Sequence, residues 1–144
     1  MCCATSLSSM ISESAEDTMK IGEQLAAVLK PGDRMYLYGE LGSGKTVLVK
    51  GVCRGLGVNE EVTSPSFVIA TEYQGRNSVA HIDLYRLGPK DIEEFPLEDY
   101  IRSDGVTIIE WADRLGTITD TGMYVWIKIK GHTTRELKIE DLRD

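Results

Sequence analysis

Cysteine is scarce in this chain: three occur among 144 residues, at Cys2, Cys3 and Cys53. No C-x-x-C spacing exists, so neither a zinc site nor a disulfide framework is indicated, and a reducing cytosol suits this usage. Long apolar runs are also missing, which excludes a helical membrane span. The first ten residues, MCCATSLSSM, have no basic start and no long apolar stretch, so a secretory signal is not expected there. Positive charge is short: 16 Lys and Arg stand against 23 Asp and Glu, a formal net charge of −7. An acidic chain is poorly equipped to grip nucleic acid alone, because phosphate neutralisation needs a basic surface. Any role on nucleic acid is expected to run through protein partners.

What the chain does have is Gly39-Glu-Leu-Gly-Ser-Gly-Lys-Thr46, which fits G-x-x-x-x-G-K-[ST], the P-loop pattern. Arg34–Tyr38 before it reads as a short buried strand, and Val47–Leu56 after it as a helix. A strand entering and a helix leaving is the context the pattern needs. Gly39, Gly42 and Gly44 let the backbone curl so that its N–H groups, with those of Glu40, Leu41 and Ser43, can make an anion nest. The helix N-terminus adds free donors and partial positive charge. Lys45 is placed to reach β- and γ-phosphates, and the Thr46 hydroxyl to ligate Mg²⁺.

In chain order, residues 1–12 read as a flexible leader and 13–144 as a single P-loop domain. Ser14 to Asp17 is a capping box opening a helix whose expected buried stripe is Ala15, Met19, Gly22, Leu25, Ala26 and Leu29, stopped by Pro31-Gly32. Gly57 closes the second helix. Phe67–Tyr73 and Ser78–Leu84 read as a hairpin turning at Gln74–Asn77, and Asp91–Ile101 as helix broken at Pro96. Gly105–Glu110 is a buried strand, and Met123–Lys130 with Arg135–Glu140 a closing hairpin. The expected fold is α/β and P-loop NTPase-like, a mixed parallel and antiparallel sheet flanked by helices.

A P-loop site needs an acid for Mg²⁺ at a strand end beside the P-loop strand. Asp83 follows Val79–Ile82 and Glu110 follows Val106–Ile109, so both qualify. Spacing does not say which binds the metal directly. His81 alternates with Asp83 and shares its face, where a structural histidine is the ordinary expectation. Trp111 can lie over a nucleotide or plug the core. Ser64 and Ser66 bracket Pro65 after the P-loop helix, where a segment sensing the γ-phosphate often sits.

Taken together, Leu37–Thr46, Thr63-Ser-Pro-Ser-Phe67, His81-Ile-Asp-Leu-Tyr-Arg86 and Ile109-Glu-Trp111 resemble the TsaE (YjeE) family, the small P-loop ATPase of bacterial threonylcarbamoyladenosine synthesis on tRNA. The resemblance spans about residues 13–140. It implies an ATPase domain that binds and slowly hydrolyses ATP with Mg²⁺. Lys45 matches the phosphate lysine, and Thr46, Asp83 and Glu110 match the metal-site positions. Lys45, Asp83 and Glu110 would then carry the catalysis. Thr18 and Arg135 match positions bordering the nucleotide. The resemblance also implies a cytoplasmic protein with no membrane association that works with TsaB and TsaD and touches tRNA only through them. One departure is Ser66, where the family has threonine. A small-metabolite kinase is the alternative from another enzyme class, but Arg76, Arg86, Arg102 and Arg114 are too scattered for an arginine-rich lid. A nucleotide switch that does not hydrolyse is the third reading.

Overall fold

A computed structural model describes residues 6–62, 70–116 and 121–143. Seven strands form one sheet in the order β1-β7-β6-β2-β5-β4-β3. The P-loop strand β2 (Arg34–Tyr38) lies at its centre, parallel to β5 (Gly105–Glu110) on one side and β6 (Met123–Ile129) on the other. Next to β5 runs parallel β4 (Ser78–Asp83), and β3 (Ala70–Gln74) pairs antiparallel with it. On the far side, β7 (Arg135–Asp141) folds back antiparallel on β6, and β1 (Ser6–Ser12) pairs with β7. The sheet is therefore mixed, as the interleaving of hairpins with a P-loop unit predicts.

Central strands in such a sheet are covered on both faces, which explains the unbroken apolar runs of β2 and β5. On one face Met35, Leu37, Ile108, Val125 and Ile127 meet α1 (Ala15–Ala26) and α2 (Lys45–Gly55). The two helices approach closely because Gly22 and Gly51 lie at their crossing. A Cβ on Gly51 would stand 2.1 Å from the Met19 carbonyl oxygen, and one on Gly22 2.5 Å from that of Leu48. On the other face Tyr36, Ile82, Ile109 and Tyr124 meet α3 (Pro89–Glu94), α4 (Leu97–Tyr100) and the 3-10 turn Ala112–Leu115. Pro96 separates α3 from α4, as its missing N–H requires.

Three local expectations need correction. The stretch read as a flexible leader contains β1, in register from Ser6↔Asp141 to Ser12↔Arg135. Its serines gave it the composition of a loop, but the β7 backbone supplies hydrogen-bond partners and Met10 packs on the core. The buried stripe of α1 is also rotated. Thr18, Ile21, Gly22, Leu25 and Ala26 are buried, whereas Ala15 is exposed and Met19 half-buried. Ser12, at the end of β1, draws the helix round: its Oγ lies 2.7 Å from the Thr18 hydroxyl. The capping box is incomplete. Ser14 Oγ accepts from the Asp17 N–H at 3.0 Å, but the Asp17 carboxylate takes the N–H of Glu13 instead of that of Ser14.

Cys53 is buried and free, and burial pushes its thiol up to about 12, so it is an inert packing residue. Cys2 and Cys3 lie outside the described residues, as do Ser64 and Ser66. Among the described residues, no helix is long and apolar enough to cross a membrane.

Candidate functional site

The P-loop turns from β2 into α2 through two residues in the left-handed region, Gly42 at φ 81° and Gly44 at φ 104°. Only glycine takes these angles without strain. Glu40, Leu41 and Gly42 are exposed, so this part of the loop presents its backbone to solvent. The first turn of α2 then offers N–H groups that lack intrahelical partners.

Lys45 is the first residue of that helix and is only 4% exposed. Its Nζ donates to the carbonyl of Gly39 at 2.5 Å and to that of Glu40 at 3.0 Å. The ammonium also stands 4.0 Å from the centroid of the Trp111 ring, which forms a cation–π floor. Loss of solvent pulls the Lys45 pKa below its ordinary 10.5, and the carboxylates of Glu110, Asp113, Asp83 and Glu40 pull the other way. A desolvated cation held by neutral carbonyls is well matched to an anionic ligand.

Trp111 reaches this position through a left-handed backbone, φ 59° and ψ 42°, the sole non-glycine with positive φ among the described residues. Such a conformation costs on the order of 1–3 kcal/mol and clusters at functional sites. Tyr85 packs on Trp111 with ring centroids 4.7 Å apart. The Arg114 guanidinium lies 5.6 Å from the Trp111 ring and donates to the Tyr85 carbonyl at 3.1 Å.

The two predicted acids come together. Asp83 and Glu110 are register partners at the ends of β4 and β5. Their surroundings differ. Glu110 is 2% exposed, and its Oε1 and Oε2 accept from the Thr46 hydroxyl at 3.2 and 3.3 Å. Its Oε2 also lies 2.5 Å from Nε2 of the fully buried His81. Asp83 is half-buried, and its Oδ1 accepts the Tyr85 N–H at 2.9 Å.

The donor set fits the groups that a P-loop implies. A hydroxyl and two carboxylates are hard oxygen ligands suited to Mg²⁺, which takes its remaining ligands from water and phosphate. Among the described residues no cluster of three or more His, Cys, Asp or Glu could hold a metal, so an all-protein cage is not built here. The Lys45 ammonium and the left-handed glycine turn fit a polyphosphate.

A family model described as threonylcarbamoyl adenosine biosynthesis protein TsaE matches residues 12–139. The chain belongs to the TsaE family. It is 33% identical over 131 residues to the Treponema pallidum tRNA threonylcarbamoyladenosine biosynthesis protein TsaE, covering 90% of this chain and 97% of that one. The Bacillus subtilis protein of the same name is 37% identical over 124 residues, 85% of this chain and 78% of the relative. Among solved structures, that of Bacillus subtilis YdiB superposes with a TM-score of 0.81 at 30% identity, covering 97% of this chain and 88% of that one.

Within this TsaE-family fold, Gly39 to Thr46, Asp83, Glu110 and Trp111 converge on one edge of the sheet. Arg135 reaches the loop as a clamp: its Nε and Nη2 donate to the carbonyls of Ser43 and Gly42 at 3.1 and 3.2 Å. Thr18 is buried, with its hydroxyl turned to Ser12. Two further residues belong to the site beyond those its motifs mark. His81 bonds Glu110, for which its alternation with Asp83 was the available signal. Arg114 caps the Tyr85–Trp111 pair, and nothing in its sequence spacing marks it.

Proposed function

We propose that this protein is a Mg²⁺-dependent ATPase serving threonylcarbamoyladenosine modification of tRNA, acting in the cytoplasm with TsaB and TsaD. The observation that carries the reading is the bond from Thr46 to Glu110, with Asp83 in register beside it. It joins the P-loop hydroxyl to the acid at the end of β5, with a second acid at the neighbouring strand end, as a nucleotide–metal site requires.

In this reading the N–H groups of the loop and of the first turn of α2 hold the phosphate chain. Lys45 turns its ammonium from the Gly39 and Glu40 carbonyls to the β- and γ-phosphates and stabilises the charge that develops on them. When bound, Mg²⁺ would supply positive charge against the negative charge of the phosphate chain. Thr46, Asp83 and Glu110 would hold it. The acids orient water near the γ-phosphate. The Trp111 ring backs the Lys45 ammonium, and Arg135 ties back two loop carbonyls. Ser64 and Ser66 would sense the γ-phosphate, and Thr18 would border the nucleotide. With net charge −7, the chain would meet tRNA only through its partners.

The test is phosphate release from ATP by the purified chain, alone and with TsaB and TsaD, with no acceptor added. Slow turnover alone and faster turnover with partners is the expected result. Turnover only with a small-molecule acceptor would identify a kinase, and binding without turnover under all conditions a switch.

A further inference from the structure

His81 has no role in the reading above, yet it is wholly buried and bonded to the most enclosed acid of the site. Sheet geometry explains how they meet. His81 and Asp83 alternate on β4 and point to one face, and Glu110 is the register partner of Asp83 on β5. His81 is therefore the diagonal neighbour of Glu110 on the same face.

Their contact is closely specified. Nε2 lies 2.5 Å from Oε2, with side chains 0% and 3% exposed. A hydrogen bond at this distance fixes the carboxylate against the ring. Nδ1 is buried without a hydrogen-bond partner. One oxygen of Glu110 is thereby tied to His81. Held this way, the carboxylate turns both oxygens to Thr46 Oγ1, Oε1 at 3.2 Å and Oε2 at 3.3 Å. Glu110 is also the carboxylate acting most strongly on the Lys45 ammonium.

We infer that His81 is a positioning residue that orients the Glu110 carboxylate toward Thr46 and so sets the affinity of the nucleotide-bound site for Mg²⁺. This inference rests on the Mg²⁺–ATP reading proposed above.

The test compares His81→Gln, whose amide reaches the position of Nε2, with His81→Asn, whose shorter amide does not. Calorimetry with ATP, first in chelator and then across a Mg²⁺ titration, reads nucleotide and metal binding separately from turnover. All three proteins should bind ATP within about twofold of each other in chelator, since Lys45 and the loop are untouched. The Mg²⁺ midpoint should rise roughly 10- to 100-fold in His81→Asn and return most of the way in His81→Gln. His81→Leu replaces the Asn variant if that one fails to fold. Equal midpoints in wild type and the non-reaching variant would overturn the positioning role alone. So would equal impairment of the Gln and non-reaching variants. A wild-type protein whose ATP binding ignores Mg²⁺ would overturn the metal reading and this inference together.

Discussion

Two strand ends face the P-loop side by side, and the same sequence signal marks both: an acid after an apolar run. At the end of β5, Glu110 is sealed from solvent and joined to Thr46 and His81 before any ligand arrives. At the end of β4, Asp83 is half-buried and hydrogen-bonds the backbone of the turn that follows it. The difference comes from position in the sheet. β5 lies between β2 and β4, under the P-loop helix, while β4 is one strand further out. The inner acid is thus prearranged and costly to disturb. The outer one is more open to solvent.

The comparison sharpens when the cation between the loop and the acids is removed. Lys45→Ala deletes the charge-assisted donor of the site, and nucleotide affinity should fall about 100-fold, read by calorimetry. Next come the acids. Glu110→Ala leaves His81 Nε2 and the Thr46 hydroxyl without their partner. It should lower folding stability by about 1–3 kcal/mol in urea denaturation, together with ATP turnover. Asp83→Ala should slow turnover comparably while costing under about 1 kcal/mol of stability. Equal stability losses would erase the contrast between the two ends. A smaller effect belongs to the clamp: Arg135→Gln removes two bonds to loop carbonyls and should weaken ATP binding about tenfold with the fold intact.

The smallest effect is pH dependence. Burial holds the Lys45 pKa below 10.5 in the free protein, and a bound phosphate would raise it. ATP affinity should therefore fall as pH rises from neutrality through that depressed value, by at most about tenfold per unit. For folding the sign is reversed. The unfolded chain binds the proton more tightly, so the Lys45 contribution to stability improves over the same rise. Binding and urea titrations along one pH series separate the two.

Much of this was legible in the residues. β2 and β5 could be read to their ends because apolar runs bounded by Gly, Pro or charge leave few alternatives for a central parallel strand. The P-loop, with Lys45 and Thr46, follows from local chemistry alone. β1 was hidden because four of its seven residues are serines and its pairing depends on β7, over a hundred residues away. The unequal burial of Asp83 and Glu110 was hidden too, since strand order decides it. Arg135 lies 92 residues from Ser43, and His81 lies 29 from Glu110. Bonds of that span are set by folding rather than by motif spacing. The left-handed Trp111 has no sequence mark either, because its conformation is imposed by its surroundings.

The central claim is that Lys45, the loop amides and the Thr46–Glu110 pair hold a nucleotide triphosphate tail. A crystal structure with a non-hydrolysable ATP analogue and Mg²⁺ tests it most directly. The account predicts Lys45 Nζ withdrawn from the Gly39 and Glu40 carbonyls and bonded to phosphate, with a metal beside Thr46. An analogue bound elsewhere, with Lys45 still on those carbonyls, would contradict it.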